Sequence, residues 1–378
     1  MRVQNGILLT MEGERFEKGY VDFENGVITG YGAADGAPPC AGETLDAGGG
    51  YILPGFIDAH THIGISEEGL RWEGADYNES TDPVTPDMRA MDGFNPADTA
   101  IPKARRAGVT TALVSPGSAN VVGGQIAAVK LSGINVEKMV LKAPCAMKFA
   151  LGENPKNVYG QDKSKEPKTR MATAAIMRRA LTKARRYLAR KEAGEDVYEH
   201  DSEALLPVIR REIPVHFHAH RGDDILTAIR IAKEFNLRYA LIHATGAEAI
   251  VSEIAGEETI AVLGPSMGPS SKPETQGISF GTAGVLTRAG MVVSITTDHD
   301  VTPLCLLPTF AALCVREGLG ETEALAAITI NAAKAAGIDS RVGSIAVGKD
   351  ADIAVFDGHP FHYMTKARAV FINGTLTE

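Results

Sequence analysis

Hydrophobic and polar positions divide the chain into three regions. Residues 1–50 hold short β-type runs, Val3–Leu9, Gly19–Glu24 and Val27–Tyr31, punctuated by glycine. The last two flank Asn25-Gly26, a pair that tolerates positive φ at both positions and so predicts a hairpin turn. The C-terminal end repeats the pattern, with Ile353–Phe356 and Ala367–Ile372 as apolar runs and Asn373-Gly374 behind the second. Chain termini often lie close together, so residues 1–53 and 344–378 are expected to pair into one small β-sandwich domain.

The middle alternates strand and helix. Strands are expected at Ile52–Asp58, Thr110–Ser115, Met139–Ala143, Val215–Ala219, Tyr239–His243, Thr259–Leu263 and Val292–Thr297. Asp223–Phe235 puts Ile225, Ala228, Ile229 and Ala232 on one helical face behind acidic first-turn residues. Asp98–Ala107 and the alanine-rich stretch 322–336 are further helices. Such alternation over roughly 290 residues predicts an α/β fold, a TIM-like (β/α)8 barrel of parallel strands spanning 54–343. Its eighth strand falls somewhere between Val121 and Phe149.

A helix over 168–193 carries an apolar stripe (Ala174, Met177, Leu181, Ala184, Leu188) under a basic face. That face reads as solvated and balanced by the acidic stretch Glu192–Glu203. The whole chain of 378 residues has a formal charge of −9, which argues against nucleic acid as a partner. No run of 18 apolar residues occurs, so no membrane span is expected. The N-terminus lacks a signal-peptide pattern, making cytoplasm the default location. Cys40, Cys145, Cys305 and Cys314 form no CxxC pair and read as buried free thiols.

Histidine is more informative. Five of ten histidines gather as His60/His62 and His216/His218/His220. Residues i and i+2 of a strand share a face, so His60 and His62 can turn to one metal ion. Val215–His220 ends another strand in the same way, Leu241–His243 ends in histidine, and Ser294–Asp298 ends in aspartate. In a parallel barrel these strand ends open on one face. Imidazole and carboxylate there are ligands for a divalent metal, zinc first, with iron, manganese or cobalt as alternatives. His216, nearer its strand's middle, reads as a packing or hydrogen-bonding residue.

PGFIDAHTHIG (54–64), the strand-end His218 and His243, TTDHD (296–300) and GSIAVGKDADIAVFDG (343–358) together resemble the amidohydrolase superfamily of metal-dependent hydrolases. The stretches DPVTP, DGFNP, GSANVVGGQ, GENPKNVYG and HAHRGDDILTAIRIA resemble its imidazolonepropionase-like branch. The resemblance implies one or two metal ions held by His60, His62, His218, His243 and Asp298. Asp298 and His243 are then the catalytic residues, with Asp298 taking a proton from metal-activated water. A carboxylated lysine or a glutamate bridges the metals in such proteins. Both Lys148 and Glu153 lie in CAMKFALGENP, and Glu153, past the strand end, is the favoured one. His220, Arg221 and Gln125 are the expected substrate contacts. Arg221 offers a fork of donors for a carboxylate, with an ion pair to Asp223 or Asp224 as its alternative.

The implied activity is hydrolysis of a C–N bond other than a peptide bond, in a linear or cyclic amide or ring amine of a small polar substrate, through a metal-bound hydroxide. A metallodipeptidase anchored by Arg221, or a non-catalytic scaffold with a vestigial site, are the alternatives. Homo-oligomers are common in this class.

Overall fold

The computed structural model describes residues 1–378 and contains two eight-stranded sheets. The barrel sheet runs in sequence order: β1 (Phe56–Thr61), β2 (Val109–Val114), β3 (Val122–Lys130), β4 (Val140–Ala150), β5 (Val215–Ala219), β6 (Tyr239–His243), β7 (Ile260–Leu263) and β8 (Val292–Ile295). Strands β1, β2 and β5 are buried at every position, as expected of a parallel sheet covered by helices. The chain ends build the other sheet, which joins strands from Arg2–Leu9 through Tyr51–Pro54 to those from Ile353–Phe356 to Thr375–Leu376. It curls over its own core: Phe23 and Phe371, on strands far apart in the sheet, meet at a ring-centroid distance of 5.2 Å.

The barrel departs from the expected all-parallel form in one place. Strand β3 is antiparallel to both β2 and β4. The connections explain it, because 115–121 and 131–139 are both too short for a crossover that returns the chain to the same end of the sheet. Strand β3 therefore delivers its last residue, Lys130, to the barrel end where the other strands begin. There its Nζ meets Asp350 Oδ2 at 2.6 Å and Asp352 Oδ1 at 3.0 Å, tying the barrel to the terminal sheet.

No strand ladder joins β8 to β1; the barrel is closed there by side chains and by a backbone bond from the His62 N–H to the His299 carbonyl. Asp58 accepts bonds from the Thr297 N–H (2.9 Å), the Thr297 hydroxyl (2.8 Å) and the His60 N–H (3.1 Å). Thr296 Oγ1 donates to the His60 carbonyl at 2.5 Å. Burial raises the Asp58 carboxyl to about 6 against these donors, which favour its charged form.

The long basic helix, α1 (Arg170–Glu192), is capped by the Thr169 hydroxyl, which accepts from the Ala172 N–H at 3.1 Å. Its Arg178, Arg179 and Arg190 pair with Glu234, Glu166 and Glu195, so the face is solvated and ion-paired. The expected helix 322–336 is two, α2 (Glu321–Ala327) and α3 (Ile330–Ala336), broken at Thr329, whose φ and ψ (−136°, −101°) are not helical. All four cysteines are free; Cys145 and Cys314 are buried as expected, whereas Cys305 is half-buried and Cys40 is exposed on a loop. No helix is long and apolar enough to cross a membrane.

Candidate metal centre

Strand alternation carries His60 and His62 to the same face of β1, where both approach one carboxylate. His60 Nε2 lies 3.3 Å and His62 Nε2 3.5 Å from Asp298 Oδ1. Opposite them, the His218–His243 and His220–His243 ring centroids are 4.5 and 4.7 Å apart. Two sets of ligand-capable atoms result, His60/His243/Asp298 and His218/His220/His243, each with its atoms within 4.8 Å of one another and every member buried. His243 belongs to both.

Hydrogen bonds orient these rings. The His62 Nδ1 faces the Ser115 carbonyl at 2.7 Å, and the His243 Nδ1 faces the Gly264 carbonyl at 2.6 Å. A carbonyl only accepts, so each Nδ1 carries the proton and each Nε2 keeps its lone pair for the centre. His220 Nδ1 is held by Thr245 Oγ1 at 2.7 Å. Gly264 can lie close enough because it has no side chain: its φ is +131°, and a Cβ would stand 2.0 Å from the Thr296 carbonyl oxygen. His243 (φ +70°) and Asp298 (φ +52°) both adopt the left-handed region at the centre, which histidine and aspartate enter more readily than most residues.

Burial pushes the imidazoles toward the neutral form, His62 to about 4, His220 to about 3, and His60, His218 and His243 well below their ordinary value. Neutral imidazole is the ligating form. Burial likewise raises the Asp298 carboxyl and lowers the Lys148 amine. His60 Nδ1, His218 Nδ1 and Asp298 Oδ1 are buried without a hydrogen-bond partner. Buried polar atoms seldom stay unpartnered, and a cation among these donors would satisfy Asp298 Oδ1. The donor set, neutral imidazoles and one carboxylate, fits a first-row divalent ion.

Lys148, rather than Glu153, reaches the cluster. Its Nζ is 3.0 Å from His60 Nε2, and the residue is 1% exposed. Glu153 opens a short helix beyond β4, where its carboxylate accepts from the Asn157 amide at 3.3 Å and its own N–H donates to Glu274 Oε2 at 2.8 Å. Neither set of ligand-capable atoms includes it. His216 turns its Nε2 to the Ala335 carbonyl at 2.9 Å, a hydrogen bond away from the centre. Arg221 is half exposed and doubly bonded to Asp223 at 2.9 Å, its structural alternative. Gln125 donates to the Pro86 carbonyl at 3.4 Å, beside Arg89 and Pro144 and away from the histidines. A cleft of about 920 Å³ lined by Arg211, Arg238, Glu257 and Lys334 lies at the barrel end where β6, β7 and β8 begin, opposite the centre.

Several residues at the site are not among the candidates drawn from the sequence. Tyr77, on the long loop after β1, lies over His62 with ring centroids 5.2 Å apart. Asn154 Nδ2 is 3.4 Å from His218 Nε2, and Glu274 Oε1 is 3.9 Å from His220 Nε2. Asp58, by contrast, had a signal: it precedes His60 by two on the same strand and so shares its face.

A model of the amidohydrolase family matches residues 51–377. An amidohydrolase from Thermotoga maritima MSB8 has a solved structure that superposes with a TM-score of 0.95, at 39% identity, over 100% of this chain and 99% of that one. The amidohydrolase tasK of Hapsidospora irregularis is 30% identical over 87% of this chain, which spans only 36% of that protein's length. An imidazolonepropionase of Sphingopyxis alaskensis is 26% identical over 94% of this chain and 91% of its own.

Proposed function

Because the chain belongs to the amidohydrolase family, we propose that it hydrolyses a C–N bond other than a peptide bond in a small polar substrate, with one or two divalent metals, zinc first, at the histidine cluster. The observation that carries this reading is the convergence of His60, His62, His218, His243 and Asp298, with buried unpartnered atoms on His60, His218 and Asp298. The similarity to imidazolonepropionases supports a cyclic amide as one substrate type.

A bound divalent ion supplies Lewis acidity, making water acidic enough to react near neutral pH and polarising a carbonyl. The protein's part is positional. His62 and His243 are locked by their Nδ1–H bonds so that each Nε2 faces the centre. Asp298 Oδ1 is the general base, placed to take the proton from the attacking water and pass it to the departing nitrogen. His220 joins the cluster either as a further ligand or as a contact to the substrate carbonyl. Lys148 is the bridging candidate: its amine can add carbon dioxide, forming an N–C bond and releasing a proton, and the carbamate then offers two oxygens.

Elemental analysis of protein purified without chelator tests the metal. One to two equivalents per chain are expected, and the His60→Ala/His62→Ala variant should lose them. Asp298→Asn should stay folded, because asparagine tolerates the left-handed backbone there, while turnover falls by at least about 100-fold. Near wild-type turnover by that variant would remove Asp298 from its role.

A further inference from the structure

The loop between β7 and the helix Gly281–Arg288 brings a cation to the rim of the centre. Lys272 Nζ stands 2.7 Å from Asn154 Oδ1 and 3.0 Å from Glu274 Oε1. Both partners lie against the histidines: Asn154 faces His218 at 3.4 Å, and Glu274 faces His220 at 3.9 Å. The positive charge of Lys272 is felt at His218, His220 and His243.

This placement is built, not incidental. Glu274 has a 1% exposed side chain and is fixed by the Glu153 N–H at 2.8 Å. Gly152 leaves room for it: φ there is +85°, and a Cβ would stand 2.7 Å from Glu274 Oε2. Asn154 is held by Ser118 Oγ at 2.7 Å. Lys272 itself keeps a 25% exposed side chain, so it meets solvent at the rim while held from within. An ammonium has three donors; one is hydrogen-bonded to Asn154 Oδ1, and the charge is paired with Glu274. Arg221, the cation expected to bind an acidic substrate, is committed to Asp223.

We propose that Lys272 anchors the substrate through a donor left free by Asn154, and that the substrate of this hydrolase is an amide or lactam bearing a carboxylate. The inference rests on the hydrolase reading and adds the substrate's charge. One cation, already facing Glu274, matches a singly charged carboxylate better than a phosphate dianion. Glu274 and Asn154 are then positioning residues that hold the ammonium beside the histidines.

The test uses metal-loaded protein and matched pairs: N-formyl and N-acetyl amino acids and lactam acids, each against its own carboxamide. The carboxylate member should be favoured by about 10- to 100-fold in kcat/KM, the worth of one charge-assisted hydrogen bond. Lys272→Met should bring that ratio toward one, mainly through KM, and Lys272→Arg should restore part of it. The double variant Lys272→Met/Glu274→Gln, which leaves no buried carboxylate unpaired, serves if the single variant does not fold. Equal rates for both members, or an equal loss for both in Lys272→Met, would overturn the anchor. If no pair is hydrolysed, calorimetric binding of the same pairs separates the two ideas. A carboxylate preference that Lys272→Met removes keeps the anchor and sinks the hydrolase, whereas absence of a preference sinks the anchor.

Discussion

Replacing Lys130 by methionine removes the one cation that faces both Asp350 and Asp352 between the barrel and the terminal sheet. The Lys130, Asp350 and Asp352 side chains are 5%, 10% and 3% exposed. Breaking a buried ion pair from one side costs about 3–5 kcal/mol, because a carboxylate is left without its countercharge. The lower end applies here. Asp350 keeps Arg341 at 2.7 Å, and Asp352 keeps the Asn373 N–H at 2.8 Å. For a chain of 378 residues the unfolding entropy is roughly 0.8 kcal/mol/K, so about 3 kcal/mol lowers Tm by about 4 °C.

The loss also has a pH signature. Burial already raises the Asp352 carboxyl, and Lys130 opposes that rise. Without Lys130 the folded-state value climbs further above the unfolded one. The folded variant then takes up a proton before the unfolded chain does as pH falls. The deficit is therefore full above the folded value and shrinks with acidification through it. Thermal unfolding of metal-loaded wild type and variant between about pH 8 and pH 5 measures this. Adding Asp350→Asn and Asp352→Asn should recover most of the loss. An unchanged Tm, or a deficit that grows as pH falls, would refute the reasoning.

Lys148→Met should lower metal content to one equivalent or less by elemental analysis, while Glu153→Gln should leave it unchanged; the reverse would restore Glu153 as the bridge. Gly264→Ala forces a Cβ to within 2.0 Å of the Thr296 carbonyl oxygen. It should cost at least about 2 kcal/mol in denaturant unfolding and weaken metal retention through His243, so wild-type values for both would contradict the packing argument.

Much of the centre was legible in the sequence because strand alternation is a rigid rule. Once PGFIDAHTHIG is a strand, His60 and His62 must share a face, and the apolar runs before His243 and Asp298 place them at strand ends in the same way. The Lys148 and Glu153 alternatives were not settled by that rule. Lys148 pairs in register with His216, one layer below His218, and only its four-carbon stem carries the amine up to His60. Glu153 lies beyond the strand in a short helix, where its carboxylate takes the Asn157 amide instead. The antiparallel β3 was hidden for a different reason. Hydrophobic pattern encodes burial, not direction, and only the two short connections betray it. Lys272 and Glu274 were illegible because their partners are 118 and 121 residues away in sequence.

The Asp58 seam bears on synthesis at the ribosome. It joins His60 to Thr296 and Asp58 to Thr297 across 236 and 239 residues. His60 and His62 leave the ribosome well ahead of the aspartate that completes their set, which follows the last strand of the barrel. Until that strand has left the exit tunnel, the nascent chain offers an incomplete histidine pair to passing cations. On the metal-dependent reading proposed above, the full ligand set exists only in chains whose barrel has closed, so metal capture ends assembly rather than starting it.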